Sequence, residues 1–182
     1  MLSISKDEIR SIVPMADAIL SMRKAFSDFS SGLVIVPDRM SMEIDGKNAT
    51  VLLMSAYRNK GKYFITKVVT VFQNTISNPS DLISAYVNVF DASTGDMVAT
   101  LDGGTITSLR TGAASGLATT LLAKKDATVA AIFGTGVQAH TQVEAIISSR
   151  PIDRVFVYSR DIDSAKKFSK YISETYSIDA NP

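Results

Sequence analysis

The sequence contains no cysteine and a single histidine, His140. Without cysteine there are no disulfides and no thiolate-held metals, which fits a reducing compartment such as the cytoplasm. One histidine excludes a histidine-rich metal cluster, so no metal is expected. An excess of one charge sign is also lacking: 19 Lys and Arg stand against 18 Asp and Glu, a formal net charge of +1. That balance offers no pull on nucleic acid or on an acidic membrane surface. The N-terminus carries Lys6, Asp7, Glu8 and Arg10 and has no apolar core of the signal-peptide kind. The most membrane-like run, 112–133, is interrupted by Lys124, Lys125 and Asp126, so no spanning helix is expected. What remains is an ordinary soluble globular composition, 46% apolar and 20% charged. At 182 residues the chain can form one large domain or two small ones with a real core.

The organising stretch is 128–147. Val129 to Phe133 is a short continuous apolar run, which suits a strand buried on both faces. Gly134, Gly136 and Ala139 follow at the spacing G-x-G-x-x-G/A, and a helical pattern with Val143, Ala145, Ile146 and Ile147 comes next. Strand, glycine turn and helix in that order are the context of a dinucleotide fingerprint. Gly134 makes the tight turn, Gly136 lets a pyrophosphate approach the backbone, and Ala139 lets helix and strand pack closely. The helix N-terminus offers N–H groups and partial positive charge to phosphates. The motif by itself also describes a tight strand-to-helix turn with no ligand.

In chain order, Ser5-Lys6-Asp7-Glu8 reads as a capping box opening a short helix. Pro14 suits the first turn of a second helix, in which Ala18, Met22, Ala25, Phe26 and Phe29 form a stripe read as core packing. A strand-rich region follows. Val36, Met40, Met42 and Ile44 alternate with Arg39, Ser41 and Glu43, a half-buried strand that puts Arg39 on its polar face. Asp45-Gly46 signals a hairpin, with 50–56 as the return strand. After a turn at 58–61, further strands are read over 63–72, 83–90 and 97–101, with a loop at Ser77, Asn78, Pro79 and Ser80. Five strands joined by tight turns predict a mostly antiparallel sheet. From Thr105 to Ala123 small residues dominate, including Gly112, Ala113, Ser115 and Gly116. They predict a helix against which something packs very closely. A second buried strand, 154–158, and a helix with Ala165, Phe168 and Ile172 complete a β-α-β-α unit, the first half of a doubly wound sheet. A complete dinucleotide domain needs more strands, so the sequence is expected to be part of a longer protein.

Three cations stand out. Arg39 is open to two readings, a solvated side chain or an anion ligand. Lys67 shares its strand face with Tyr63, Ile65, Val69 and Val71, an otherwise apolar set. Lysine is seldom buried without a partner, and the alternative is an edge lysine that snorkels. Arg110 lies near the start of the small-residue helix. Cations from separate elements could converge on one carboxylate, with arginine as a bidentate clamp.

VPDRMSM around Arg39, ITKVVTVFQN around Lys67, the run LDGGTITSLRTGAASGLAT and FGTGVQAHTQVEAI together closely resemble the ornithine cyclodeaminase/mu-crystallin family, over nearly all of 37–168. The resemblance implies an α/β protein: an α+β N-terminal domain that binds substrate and forms a homodimer through its sheet, followed by a partial Rossmann domain for NAD(H) or NADP(H). The boundaries expected are 1–104 for the sheet domain, 105–126 for the connecting helix and 127–182 for the Rossmann half. By the same resemblance, the residues matching Arg39, Lys67 and Arg110 hold the α-carboxylate of an amino or imino acid. Thr111 lies against the cofactor, and Gly134, Thr135, Gly136, Val137 and Gln138 receive the pyrophosphate. The family's catalytic aspartate is expected beyond residue 182. Ornithine cyclodeaminases tend to carry a glutamate where this chain has Leu52, so VLLMSAY looks more like the ketimine-reductase and alanine-dehydrogenase branches. Met54, Tyr57 and Phe72 are candidates for shaping the substrate pocket. NAD-binding Rossmann units usually end their second strand in an acid. Here that strand ends Tyr158-Ser159-Arg160, with Asp161 next. Ser159 and Arg160 suit a 2′-phosphate, so NADP(H) is favoured over NAD(H). The other reading has Arg160 in solvent and Asp161 opening the next helix.

Overall fold

The structure, a computed structural model, describes residues 1–72 and 82–182. The loop expected at Ser77 to Ser80 lies outside the described residues. The protein is α/β and divides into two compact units, one of residues 1–13 and 25–107, the other of residues 14–24 and 108–182.

The first unit is built on a seven-stranded sheet. Its strands are β1 (Leu2–Ile4), β2 (Val34–Ile35), β3 (Met40–Ile44), β4 (Ala49–Arg58), β5 (Tyr63–Phe72), β6 (Ile83–Asp91) and β7 (Met97–Asp102). They run in the order β1-β7-β6-β5-β4-β2, with β3 also on β4. Every described pairing is antiparallel except β1 with β7, which is parallel. The expected antiparallel sheet is therefore present, with β1 as an addition no local pattern announces. Helix α1 (Lys6–Ile12) follows β1 and starts on the expected capping box. The Glu8 amide donates to Ser5 Oγ at 3.4 Å, and the Ser5 amide donates to Glu8 Oε2 at 2.8 Å.

Two expectations fail, one in β2 and β3 and one in the second helix. The strand read from Val36 to Ile44 is broken into β2 and β3. Pro37 has no N–H to give to a ladder, and the break sits around it. Arg39 therefore lies just before β3 rather than on its polar face. The strand is also not half-buried, since Met40 and Met42 are both exposed. The second failure concerns helix α2 (Met15–Ser30). Of the expected stripe, Ala18 is buried and Met22 half-buried, but Ala25 is exposed and Phe26 and Phe29 are 49% and 59% exposed. Asp28 is buried in their place and accepts a 2.7 Å bond from Arg58 Nε of β4, so an ion pair and not the phenylalanines sets the inward face.

The second unit carries the β-α-β-α unit. Strand β8 (Val129–Phe133), helix α4 (Val137–Ser149), strand β9 (Arg154–Tyr158), helix α5 (Ile162–Tyr176) and strand β10 (Asp179–Asn181) follow helix α3 (Gly103–Leu122). The three strands are parallel, in the order β10-β9-β8. Ile132, Val155 and Val157 pack with Ala139 and Val143 of α4 and with Ala165, Phe168 and Ile172 of α5. Both helices thus cover one face of the sheet. The other face, with Val129, Phe133, Phe156 and Tyr158, is exposed. The apolar run at β8 is consequently buried on one face, not on both. Strand β10 is a further strand that sequence did not announce.

The small-residue helix behaves as its composition predicts. In the second unit, a Cβ at Gly112 would strike the backbone and side chain of Thr141 in α4 at 2.8 Å. One at Gly116 would meet Ile19 of α2 at 2.7 Å and Ala145 of α4 at 3.1 Å. Only the absence of a side chain permits those approaches.

Candidate functional site

The candidate residues fall in both units. In the first unit, Lys67 stands in the middle of β5, opposite Met54 of β4 and Val87 of β6. The register puts Leu52, Met54, Ile65, Val69, Ala85 and Val87 on its face, and Ala85 and Val87 are buried. Lys67 is thus a half-buried cation in an apolar field, as its strand pattern predicts. Tyr57 and Phe72 belong to the opposite face by the same register, so they do not line the surface around Lys67. Met54 does.

The break at Pro37 gives Arg39 its place. Ile35 pairs with Tyr57 and Met40 pairs with Leu53. Residues 36–39 therefore oppose only residues 54–56, and the edge carries one extra residue, in the manner of a bulge. Arg39 is exposed at the end of this bulge, and Met54 separates it from Lys67 across adjacent strands. Two strand spacings are about 10 Å, a gap that two long cationic side chains can close on a shared anion.

Lys67 has a partner that sequence reasoning missed. Its ammonium donates to Thr107 Oγ1 in the first turns of α3. Thr107 Oγ1 in turn donates to the Gly103 carbonyl at 2.5 Å. The turn is fixed at its start, where Asp102 Oδ1 accepts from the Thr105 amide at 2.6 Å. The available signal was a threonine four residues after a glycine at a strand-to-helix junction, but nothing local ties it to Lys67.

In the second unit, the glycine turn joins the end of β8 to α4. Gly134 has φ +98°, a left-handed conformation that favours glycine, and its amide donates to the Tyr158 carbonyl at 2.8 Å. This bond ties the turn to the end of β9, next to Ser159 and Arg160. Gly136 is the N-cap of α4 and supplies no side-chain cap. Added Cβ atoms at Gly134 and Gly136 would meet nothing within 4 Å. An open glycine loop leading to a helix start without a side-chain cap fits a bound pyrophosphate. Ala139 is buried against the sheet, as its place in the spacing requires. On α3, Arg110 is exposed and Thr111 half-buried, immediately before the Gly112 contact with α4.

Beyond β9, Ser159 is half-buried and Arg160 exposed. Asp161 caps α5, accepting from the amides of Asp163 and Ser164 at 3.2 and 3.1 Å and from the Ser164 hydroxyl at 2.5 Å. The Ser164 hydroxyl, then the amides of Ser164 and Asp163, hold the Asp161 carboxyl below the usual carboxylate range. His140 packs edge-on against Phe168 and Tyr171, at 4.8 and 4.6 Å between ring centres. Loss of solvent pushes its pKa below the ordinary histidine value. Among the described residues there is no group of three or more His, Asp or Glu able to hold a metal, and no helix long and apolar enough to cross a membrane.

Residues 2–181 match the family described as ornithine cyclodeaminase/mu-crystallin. A Delta(1)-pyrroline-2-carboxylate reductase of Bacillus thuringiensis subsp. konkukian (strain 97-27) is 36% identical over 176 residues, 97% of this chain and 54% of that protein. The solved Delta(1)-pyrroline-2-carboxylate reductase of Thermococcus litoralis, in complex with NADH and L-proline, is 34% identical with a TM-score of 0.89, over 99% of this chain and 56% of that one. An archaeal alanine dehydrogenase dimer with bound NAD is 28% identical with a TM-score of 0.88, over 100% of this chain and 55% of that one. The chain spans about half the length of the relatives it matches.

Proposed function

Given that the chain belongs to the ornithine cyclodeaminase/mu-crystallin family, we propose that it serves an NAD(P)H-dependent reductase of small α-imino acids, acting also on the corresponding amino acids in reverse. The reading rests above all on Lys67, a cation in the middle of an apolar sheet face with Arg39 at the edge bulge two strand spacings away. Such a pair recognises a small carboxylate and leaves apolar surface, Leu52 and Met54, for the rest of the molecule. Arg39, Lys67 and Arg110 bind and orient the substrate carboxylate. Gly134, Thr135, Gly136, Val137 and Gln138 hold the cofactor pyrophosphate, with Thr111 against the cofactor. The nicotinamide, when bound, supplies the hydride chemistry. The named relatives that reduce Delta(1)-pyrroline-2-carboxylate support an imino acid as substrate.

NADP(H) is the proposed cofactor, with NAD(H) second. Asp161 is engaged by its own helix cap, which leaves Ser159 and Arg160 to meet the ribose. The solved relatives carry NADH and NAD, which favours the second choice. The working form is proposed to be a cytoplasmic homodimer joined through the exposed face of the first unit's sheet. That face carries Met40, Met42, Leu53 and Tyr86 in the open, and one solved relative is a dimer.

Ornithine cyclodeaminase is the second reading, and Leu52 counts against it. It shares the face of Lys67 and offers no charge to a second amino group. A non-catalytic binding protein is the third reading. A panel of imino and amino acids, assayed with NADPH and NADH on the full-length protein, tests all three. The proposed reductase consumes reduced cofactor in step with imino acid. A cyclodeaminase instead releases ammonia from ornithine without net cofactor change. Arg110→Ala is expected to raise the substrate KM by about tenfold or more, and an unchanged KM would remove Arg110 from the carboxylate site.

A further inference from the structure

We propose that Thr107 is a positioning residue that aims the Lys67 ammonium at the substrate carboxylate. The inference rests on the proposed role of Lys67 in carboxylate binding, and everything else in it lies within the first unit. A lysine has four rotatable carbons, and on an apolar face nothing but a specific acceptor fixes where its charge sits. Thr107 supplies one such acceptor. A threonine hydroxyl has one proton and two lone pairs. Its proton goes to the Gly103 carbonyl at 2.5 Å. The hydroxyl therefore faces Lys67 as an acceptor.

The fold brings the two residues together by a traceable route. Gly103 starts α3 so close to β6 that a Cβ there would lie 2.6–2.8 Å from the Ala85 backbone and side chain. Ala85 pairs with Val69, one face position along β5 from Lys67. Thr107 is one helical turn beyond Gly103 and so comes down beside Lys67. Asp102 pins the same turn through the Thr105 amide. The bond to Thr107 engages one of the three protons of the ammonium.

The test is a double-mutant cycle in the full-length protein with NADH bound. The readouts are the calorimetric Kd for L-proline and the KM and kcat for Delta(1)-pyrroline-2-carboxylate. Thr107→Val removes the acceptor at nearly constant volume. It should raise Kd and KM about tenfold while kcat stays within about twofold. Thr107→Ser keeps the hydroxyl and should restore both constants to near wild type. In a Lys67→Met background, Thr107→Val should have no further effect, because the group it orients is gone. If Lys67→Met weakens binding but Thr107→Val does not, the positioning role is wrong and the role of Lys67 stands. If the Thr107→Val effect persists beside Lys67→Met, Thr107 acts through the fold and the proposal falls. If Lys67→Met itself changes nothing, both readings fall. Thr107→Ala, compared with Thr107→Ser, gives the same decision if the valine variant folds poorly.

Discussion

Two adjacent glycines should respond in opposite directions to the same added methyl group. Gly103 and Gly104 both begin α3. A Cβ at Gly103 would sit 2.6 Å from the Ala85 carbonyl carbon and 2.8 Å from its oxygen and Cβ. These are mainly backbone atoms of a strand paired on both sides, so they cannot swing away. Overpacking of this kind costs about 1–3 kcal/mol. Alanine recovers at most about 1 kcal/mol of helix propensity, and less at a helix end. The net loss is about 1–2 kcal/mol, a fall in Tm of roughly 2–8 °C for a chain of this size. At Gly104 the nearest neighbour of a new Cβ is Asp102 Oδ1 at 3.5 Å, ordinary contact. Gly104→Ala keeps the propensity gain without the clash, so it should be neutral or raise Tm by up to about 4 °C. Urea and thermal unfolding followed by circular dichroism compare wild type with the two variants. A Gly103→Ala protein as stable as wild type, or a less stable Gly104→Ala protein, would refute the reasoning. The first result would mean that α3 can lift from β6 at no cost. The contact that delivers Thr107 to Lys67 would then be soft.

Three further outcomes follow from single contacts. Ser169 of α5 is buried with no hydrogen-bond partner for its hydroxyl among the described residues, so Ser169→Ala should raise unfolding stability by about 1 kcal/mol in urea titrations. His140 has a folded pKa depressed by desolvation. Below its unfolded pKa of about 6.5 the unfolded chain takes up the proton more readily, so stability falls as pH drops through that region and is fully present above it. His140→Gln should flatten the melting profile between about pH 5 and 7, and an unchanged slope would assign it to other groups. Arg160→Gln should weaken NADPH more than NADH, read as the ratio of their KM values. Equal effects would take Arg160 away from the 2′-phosphate.

Features carried by local chemistry were legible in the sequence. The long strand Tyr63–Phe72 has the residues read for it, because every side chain but Lys67 is branched or aromatic. The capping box and the glycine turn are local motifs, and both are in place. The run of small residues in α3 foretold close approach, realised at Gly112 and Gly116. What escaped depends on distant partners. The three-residue strands β1 and β10 are too short to show a period, and they exist because β7 and β9 offer them an edge. Phe26 and Phe29 fit a helical stripe, but a bond from Arg58 to Asp28, thirty residues apart, turns that end of the helix differently. β8 reads as doubly buried because its residues are apolar on both sides, while α4 and α5 cover only one. In the candidate site, Lys67 was legible as a cation among apolar neighbours. Thr107 was not, because forty residues separate it from Lys67 and its hydroxyl resembles that of any helical threonine.

The interruption at Pro37 has a meaning for self-association as well. β2 and β3 together form the outer border of the sheet along β4. Fused, they would present a flat, methionine-rich ribbon with a full row of unpaired amides and carbonyls, the kind of border on which a neighbouring molecule can template a strand and begin an aggregate. Cut in two by a residue that cannot donate, and jogged by one extra residue, the border offers only two short lengths out of register with each other. The same interruption that sets Arg39 beside Met54 therefore acts as a guard on solubility. Pressure to keep Pro37 would come from both sides, so a Pro37→Thr protein should lose carboxylate affinity and gain a tendency to precipitate together.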